Sequence, residues 1–131
     1  MEFKIKNLVS GKSTDGRIAA FQEITSPGSG PPMHGHREQV EIFHVIRGRH
    51  VFSVDGVETE ADAGACLVVP MGALHAFKNI GSEEGLLHFE LLPAGSSEEF
   101  FHKLIAGEFD SDNIGEFFSN HGMELAGPPL P

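Results

Sequence analysis

Residues 28–48 have the sequence GSGPPMHGHREQVEIFHVIRG, and residues 64–79 have the sequence GACLVVPMGALHAFKN. In both stretches, turn-forming Gly and Pro residues border a short apolar or alternating segment. Segments of this kind recur along the first ninety or so residues, at 3–9, 17–24, 40–46, 49–54, 66–69, 74–78 and 86–92. Many short strands separated by Gly, Pro, Asp and Ser clusters predict an all-β sandwich or barrel.

The sequence changes character after Pro93. Apolar residues recur at helical spacing from Phe100 to Ile105, which predicts a helix with one buried face. A second short helix is predicted over about 112–122, and residues 123–131 are expected to form an extended tail. The aromatic residues of this region are most simply packing groups that cover the sheet.

The length of 131 residues fits a single domain, 1–131. We place the barrel at about 1–93 and a short C-terminal helical extension with its tail at about 94–131. The chain has 9 Lys and Arg against 19 Asp and Glu, which gives a net charge of −10. A nucleic-acid binder is expected to carry a basic face, so we predict no nucleic-acid partner.

The N-terminal residues 1–6 lack the apolar run of a signal peptide, and no stretch approaches the roughly 20 apolar residues of a membrane span. We therefore predict a cytoplasmic protein that has no membrane partner. Cys66 is the one cysteine of the sequence, which excludes an internal disulfide. We expect Cys66 to be a small buried residue rather than a nucleophile.

The histidines are the most informative polar residues. His34 and His36 are two residues apart, so on a strand both side chains leave the same face. Glu41 has an odd offset from them, and it faces the same way only if the chain bends between 37 and 40. A barrel brings the later His75 opposite this pair, and three imidazoles with one carboxylate leave coordination positions open on a six-coordinate ion. From spacing alone, surface histidines at a strand end remain an alternative.

Two sequence motifs resemble those of the cupin superfamily. The first, G-x5-H-x-H-x4-E-x6-G, fits residues 28–48 at every fixed position, and the second, G-x5-P-x-G-x2-H-x3-N, fits residues 64–79 equally completely. The chain is similar to small single-domain cupins of the quercetin-dioxygenase-like group. Its Pro93-Ala94-Gly95 segment, acidic-aromatic helix and Gly-Pro-Pro-Leu tail resemble the same group.

This resemblance implies a double-stranded β-helix, the cupin jelly-roll barrel, often as a homodimer. It implies a divalent metal ion held by His34, His36, Glu41 and His75. Fe2+, Mn2+ or Ni2+ is favoured, and Zn2+ is an alternative. Glu38 is a second carboxylate in the motif, but only Glu41 keeps the spacing to Gly48.

Alternation along the predicted strands gives a set of inward-facing apolar residues. We predict that they line a substrate pocket above the metal, the alternative being that they merely fill a small barrel; they are Phe43, Val45, Phe52, Phe77 and Phe89. His44, His50 and His88 are expected to have packing or surface roles.

The leading functional hypothesis is a metal-dependent dioxygenase that acts on a small aromatic or enolisable compound. Glu41 is the predicted catalytic residue, as a ligand that also accepts a substrate proton. Two alternatives stay open. One is a non-redox isomerase, cyclase or lyase, and the other is a small-molecule binding or sensing protein without catalysis.

Overall fold

A computed structural model of the chain describes residues 4–131. Strand formation follows the alternating pattern of the sequence, and the described residues form ten strands and two α-helices. The strands are β1 (Ile5–Val9), β2 (Ala19–Thr25), β3 (Pro32–His36), β4 (Val40–Arg47), β5 (Arg49–Val54), β6 (Val57–Asp62), β7 (Cys66–Val69), β8 (His75–Asn79), β9 (Gly85–Leu92) and β10 (Met123–Pro129). The helices are α1 (Ser97–Ala106) and α2 (Ile114–Ser119), with short 3-10 turns at Gly11–Thr14 and Ser111–Asn113.

The strands form two antiparallel five-stranded sheets that enclose one core. Their orders are β1-β2-β9-β4-β7 and β10-β3-β8-β5-β6. The predicted all-β barrel with a short helical extension is therefore confirmed. The start of the predicted first strand, Phe3, lies outside the described residues. Three strands of the second sheet, β3, β6 and β10, were not among the predicted apolar segments.

Phenylalanines in register fill the barrel. Phe21 pairs with Phe89, which pairs with Phe43 across the first sheet, and Phe52 pairs with Phe77 in the second. The Phe43 and Phe52 ring centroids are 5.1 Å apart, so the two sheets meet through aromatic contacts. Such aromatic pairs stabilise a fold beyond the area they bury.

Gly28 and Asn79, which are fixed positions of the two motifs, and the nearby Gly30 connect the two sheets through backbone and side-chain contacts. Gly28 has a φ of +80°, which a glycine adopts without strain, and its N–H donates to the Asn79 carbonyl at 2.8 Å. The Asn79 side-chain amide donates to the backbone carbonyls of Thr25 and Glu83, both at 3.0 Å. A Cβ on Gly30 would lie 1.8 Å from the Phe77 carbonyl oxygen, so this loop passes directly over β8. The motif thus fixes the start of β3.

The C-terminal extension packs on the barrel through aromatic side chains. Phe101 of α1 lies 4.8 Å from Phe21 between ring centroids. A second apolar cluster joins the two helices to β10, and its buried members are Phe100, Phe117, Phe118 and Met123. The predicted extended tail is a strand, because Met123–Pro129 pairs with β3 as the edge of the second sheet.

The outer face of the first sheet corrects the expectation for Cys66. This residue is exposed rather than buried, since β7 is an edge strand and Cys66 lies opposite the outward-facing His44. Within residues 4–131, no helix is both long and apolar enough to span a membrane.

Candidate metal centre

Four polar side chains from three strands converge inside the barrel. His34 and His36 come from β3, Glu41 from β4 and His75 from β8, and one ligand atom from each lies within 4.8 Å of all the others. Pairing of β3 with β8 places His34 directly opposite His75. A turn at residues 37 and 38 bends the chain before β4, as predicted, and Glu41 faces inward.

Backbone carbonyls orient two of the imidazoles. The Nδ1 atom of His34 lies 2.7 Å from the Pro32 carbonyl oxygen, and Nδ1 of His75 lies 3.3 Å from that of Ala73. A ring nitrogen that faces a carbonyl carries the proton and donates. In the neutral form of each ring, Nε2 is therefore left with a free lone pair for a ligand in the centre.

The atoms that face the centre of the cluster lack hydrogen-bond partners. Glu41 Oε1 lies 3.1 Å from His36 Nε2 and 2.9 Å from His75 Nε2. All three atoms are sealed from solvent, and none has a hydrogen-bond partner with proper geometry among the described residues. An unsatisfied buried polar group costs roughly 1–3 kcal/mol, so three in one place is a costly arrangement unless an ion binds there.

The ionisation states of the cluster favour a bound cation. Burial by itself would raise the pKa of Glu41, but the neighbouring His36 and His75 outweigh it and hold the pKa well below its usual range. Burial, together with His75 and His36, lowers the pKa of His34 to about 3. At neutral pH, Glu41 is ionised and His34 is neutral, which is the form in which each binds a metal.

A divalent metal ion fits this set of donors. Three imidazole nitrogens and one carboxylate oxygen suit first-row ions such as Fe2+, Mn2+, Ni2+ and Zn2+. The predicted ligands His34, His36, Glu41 and His75 are brought together by the fold. Four protein ligands also leave positions open on a six-coordinate ion, as a centre that accepts a further ligand requires.

The apolar residues predicted to line a pocket are all buried in the barrel. Phe43, Val45, Phe52, Phe77 and Phe89 are each at most 3% exposed. Phe43 is the member that contacts a ligand side chain, with its ring 6.0 Å from that of His75. The other rings pack on Phe43 and on one another, so in this structure these residues fill the barrel beside the cluster, and their role in a substrate pocket stays a prediction.

The other predicted histidines lie away from the cluster. His44 faces outward and its Nε2 is 2.9 Å from the Glu90 carboxylate. His88 is half-buried on the same outer face. His50 is fully buried toward the opposite end of β8, where Nε2 lies 2.8 Å from Thr25 Oγ1. Burial lowers the pKa of His50, so its ring is neutral and packs as part of the core.

Glu23 is an inward-facing carboxyl group that the sequence analysis missed. On β2 it has the same parity as the buried Phe21 and Thr25, and this alternation was the available signal. Burial raises the pKa of Glu23 to about 8, and the charge of Glu41 adds to the effect. Glu23 is therefore mostly protonated at neutral pH, unlike Glu41.

The fold and the cluster together define a class, the double-sheet β-barrels with a metal centre of three histidines and one glutamate. The family model described as Cupin domain matches residues 21–92, and the chain belongs to this family. The match contains all four cluster residues and ends before the helical extension.

Three similar proteins illustrate the range of the family. Polyketide synthase CurC from Streptomyces cyaneus is 30% identical over 91 residues, which cover 70% of this chain and 59% of CurC. An oxalate-binding protein from Thermotoga maritima is 25% identical over 84 residues, which cover 63% of this chain and 69% of that protein. The crystal structure of a predicted oxalate decarboxylase from Thermotoga maritima superposes with a TM-score of 0.66 at 21% identity, covering 68% of this chain and 78% of that one.

Removing two ligands should abolish metal binding. We expect the wild-type protein to hold about one divalent ion per chain after reconstitution and dialysis, and the His34→Ala/His75→Ala variant to hold almost none. The His44→Ala/His88→Ala variant removes two histidines from the outer face and should retain the ion. Elemental analysis measures the content, and equal metal in both double variants would show that the cluster is not the binding site.

The half-buried carboxyl of Glu23 should make the stability of the metal-free protein depend on pH. Its folded-state pKa of about 8 exceeds the ordinary value of 4.5. The unfolded chain loses this proton first, so the free energy of unfolding falls as pH rises between these values. Glu23→Gln should be more stable than wild type at pH 8 by on the order of 2 kcal/mol, allowing for solvent screening, with little difference near pH 4.5.

Denaturant unfolding between pH 4.5 and pH 8 measures this effect. Glu58→Gln is the matched control, since Glu58 is exposed on β6. A gain that does not grow with pH, or that the control shares, would contradict the assignment.

Proposed function

We propose that this chain is a metal-dependent enzyme, with dioxygenation of a small aromatic or enolisable compound as its leading reaction. The observation that carries the proposal is the buried cluster of three imidazoles and one carboxylate, in which His36 Nε2, Glu41 Oε1 and His75 Nε2 lack hydrogen-bond partners among the described residues. The resemblance of the chain to small single-domain cupins of the quercetin-dioxygenase-like group supports oxygenation. A bound divalent ion supplies Lewis acidity and, for iron, manganese or nickel, redox chemistry.

The surroundings of the cluster favour a substrate without a strong negative charge. No Lys or Arg of the described residues is buried, so the barrel offers no fixed cation to a phosphate or a dicarboxylate. Aromatic side chains contact the cluster at two places, through Phe43 on His75 and Phe118 on His34. Apolar surroundings with a few polar groups suit a small, planar organic molecule.

Glu41 is the residue we propose as the proton acceptor. Its carboxylate is buried at 3% exposure and is held ionised by His36 and His75. Because its pKa is low, Glu41 is a weak base and can take a proton only from an acidic group. Phenols, enols and 1,3-diketones carry such groups, which is why we favour these classes. His34 and His75 are fixed by their carbonyl contacts and serve to hold the ion.

The match to CurC favours a second candidate, a non-redox cyclase, isomerase or lyase. That relative is named a polyketide synthase, and polyketides are rich in enolisable carbonyl groups. The chain spans 59% of CurC, so the activity of the whole relative does not transfer with the match. The same cluster and the same base serve this reaction, without consumption of oxygen.

Turnover and oxygen uptake should both depend on Glu41. With protein reconstituted with iron, manganese or nickel, we expect oxygen uptake with a phenolic or 1,3-diketone substrate, and with zinc we expect none. Glu41→Gln should lower turnover about 100-fold or more, since the neutral amide cannot accept a proton. Glu38→Gln is the matched control, because Glu38 is exposed in the turn that precedes β4 and the variant should stay near wild type.

The outcomes separate the candidates. Product formation without oxygen uptake, retained with zinc, would favour the non-redox enzyme. Tight binding of a ligand that is recovered unchanged would favour a binding protein. Undiminished turnover in Glu41→Gln would refute its role as base.

We propose further that a second copy of this chain covers the outer face of the first sheet. This face exposes apolar side chains, among them Ile46 at 46% and Val68 at 56%, beside a groove of about 290 Å³ that His44 and His88 help to line. Glu90 is the one acidic residue among the described residues that line the groove, so this face carries little of the chain's negative charge. Two copies with a net charge of −10 each repel least where they meet through such a face.

Val68→Lys should convert the dimer to a monomer, because two copies would have to bury the two added ammonium groups or leave the face uncovered. Val57→Lys is the matched control, since Val57 is 66% exposed at the hairpin of the other sheet. Sedimentation velocity measures the oligomeric state, and alkylation of the exposed Cys66 should be faster in the Val68 variant. A wild-type protein that is monomeric at all concentrations would overturn the proposal.

A further inference from the structure

The metal centre has a contact outside the barrel, made by the C-terminal extension. Phe118 of α2 packs its ring edge against His34, with centroids 6.0 Å apart and planes at 69°. Phe118 is 5% exposed and is backed by Phe100, whose ring lies 5.1 Å away. This contact lies beyond residue 92, where the match to the family ends.

The ligand with the most exposed surface is the one that Phe118 contacts. On the inner side, Phe43 contacts His75 and packs on Phe52 and Phe77 at 5.1 Å and 5.7 Å, so the barrel is filled there. His34 is the most exposed ligand at 8%, whereas His75 has no exposed surface. His34 is therefore the cluster residue with the greatest access to solvent, and the ring of Phe118 lies against it.

Polar contacts hold the extension on the strand that carries the ligands. The Arg37 backbone N–H donates to the Gly122 carbonyl at 3.0 Å, and its guanidinium donates to the Ser119 hydroxyl at 3.1 Å. Met123 pairs with His36 at the start of β10. The turn after His36 and the chain after Phe118 are thus fastened to each other, which fixes the position of the Phe118 ring.

We infer that Phe118 is a specificity-determining residue, whose ring limits the size of the organic molecule that reaches the metal beside His34. The inference rests on the proposed metal centre. It adds that a residue outside the barrel selects the ligand. The ring should hinder flat aromatic molecules increasingly with their size, so single-ring phenols enter but bind more weakly than they would without the ring, and small ions should pass Phe118 freely.

Cobalt(II)-loaded protein tests this inference without any assay of activity. Binding of 4-nitrocatechol, a flat bidentate ligand, and of azide, a small ion, is followed in the visible spectrum. We expect Phe118→Ala to bind 4-nitrocatechol about tenfold more tightly or more, with azide binding within about twofold of wild type. Phe118→Leu, which keeps an apolar side chain, should bind 4-nitrocatechol with an affinity between those of wild type and Phe118→Ala.

Phe109→Ala is the matched control. Phe109 belongs to the same extension and stacks on Phe117 at 5.2 Å, with no ring contact to the cluster. It should leave the affinity for both ligands unchanged.

Three results would overturn the inference. Unchanged 4-nitrocatechol binding in the Ala and Leu variants would show that Phe118 does not limit access. Equal gains for azide and 4-nitrocatechol, or the same gain in Phe109→Ala, would show a general loosening of the extension. Failure of every variant and of wild type to bind cobalt would refute the metal centre itself, and the inference with it.

Discussion

Three imidazoles and one carboxylate buried within 4.8 Å of one another are the constraint on which the rest of this structure depends. The lone pairs that meet there repel unless a cation lies between them. The protein holds them in place by other means, through carbonyl contacts from Pro32 and Ala73 and through pairing of β3 with β8. A site built in this way is preorganised, because its ligands need little movement to accept an ion.

Much of the barrel was predictable because most strands carry their own pattern. β7 covers residues 66–69 as the alternation predicts, and the turn before β4 follows from the need to bring Glu41 inward. β3 carries no such pattern, since Pro32–His36 contains Pro and Gly and becomes a strand through its neighbours. The alternation of side chains along β4 and β7 predicts that Cys66 and His44 share one face of the sheet, as observed. It does not predict whether other residues cover that face of an edge strand.

The roles of Glu23 and Phe118 were not evident from the sequence, because both depend on tertiary contacts. Glu23 has the parity of a core residue, and its altered ionisation depends on burial in a barrel closed by distant strands. Phe118 reads as one more packing group of a short helix. Its contact with His34 exists because β10 returns to pair with β3, a contact between segments with no local signal in either. The motif residues define the ion site, whereas the rim of that site comes from outside the motifs.

The pairing of β10 with β3 also protects the protein from self-association. Without β10, the strand that carries His34 and His36 would be the open edge of its sheet, with backbone donors and acceptors free to pair with an extended segment of any chain. Proteolytic loss of the last segment would therefore convert a ligand-bearing strand into a template for aggregation. One short ladder of hydrogen bonds thus protects the strand that carries two of the four cluster residues from self-association.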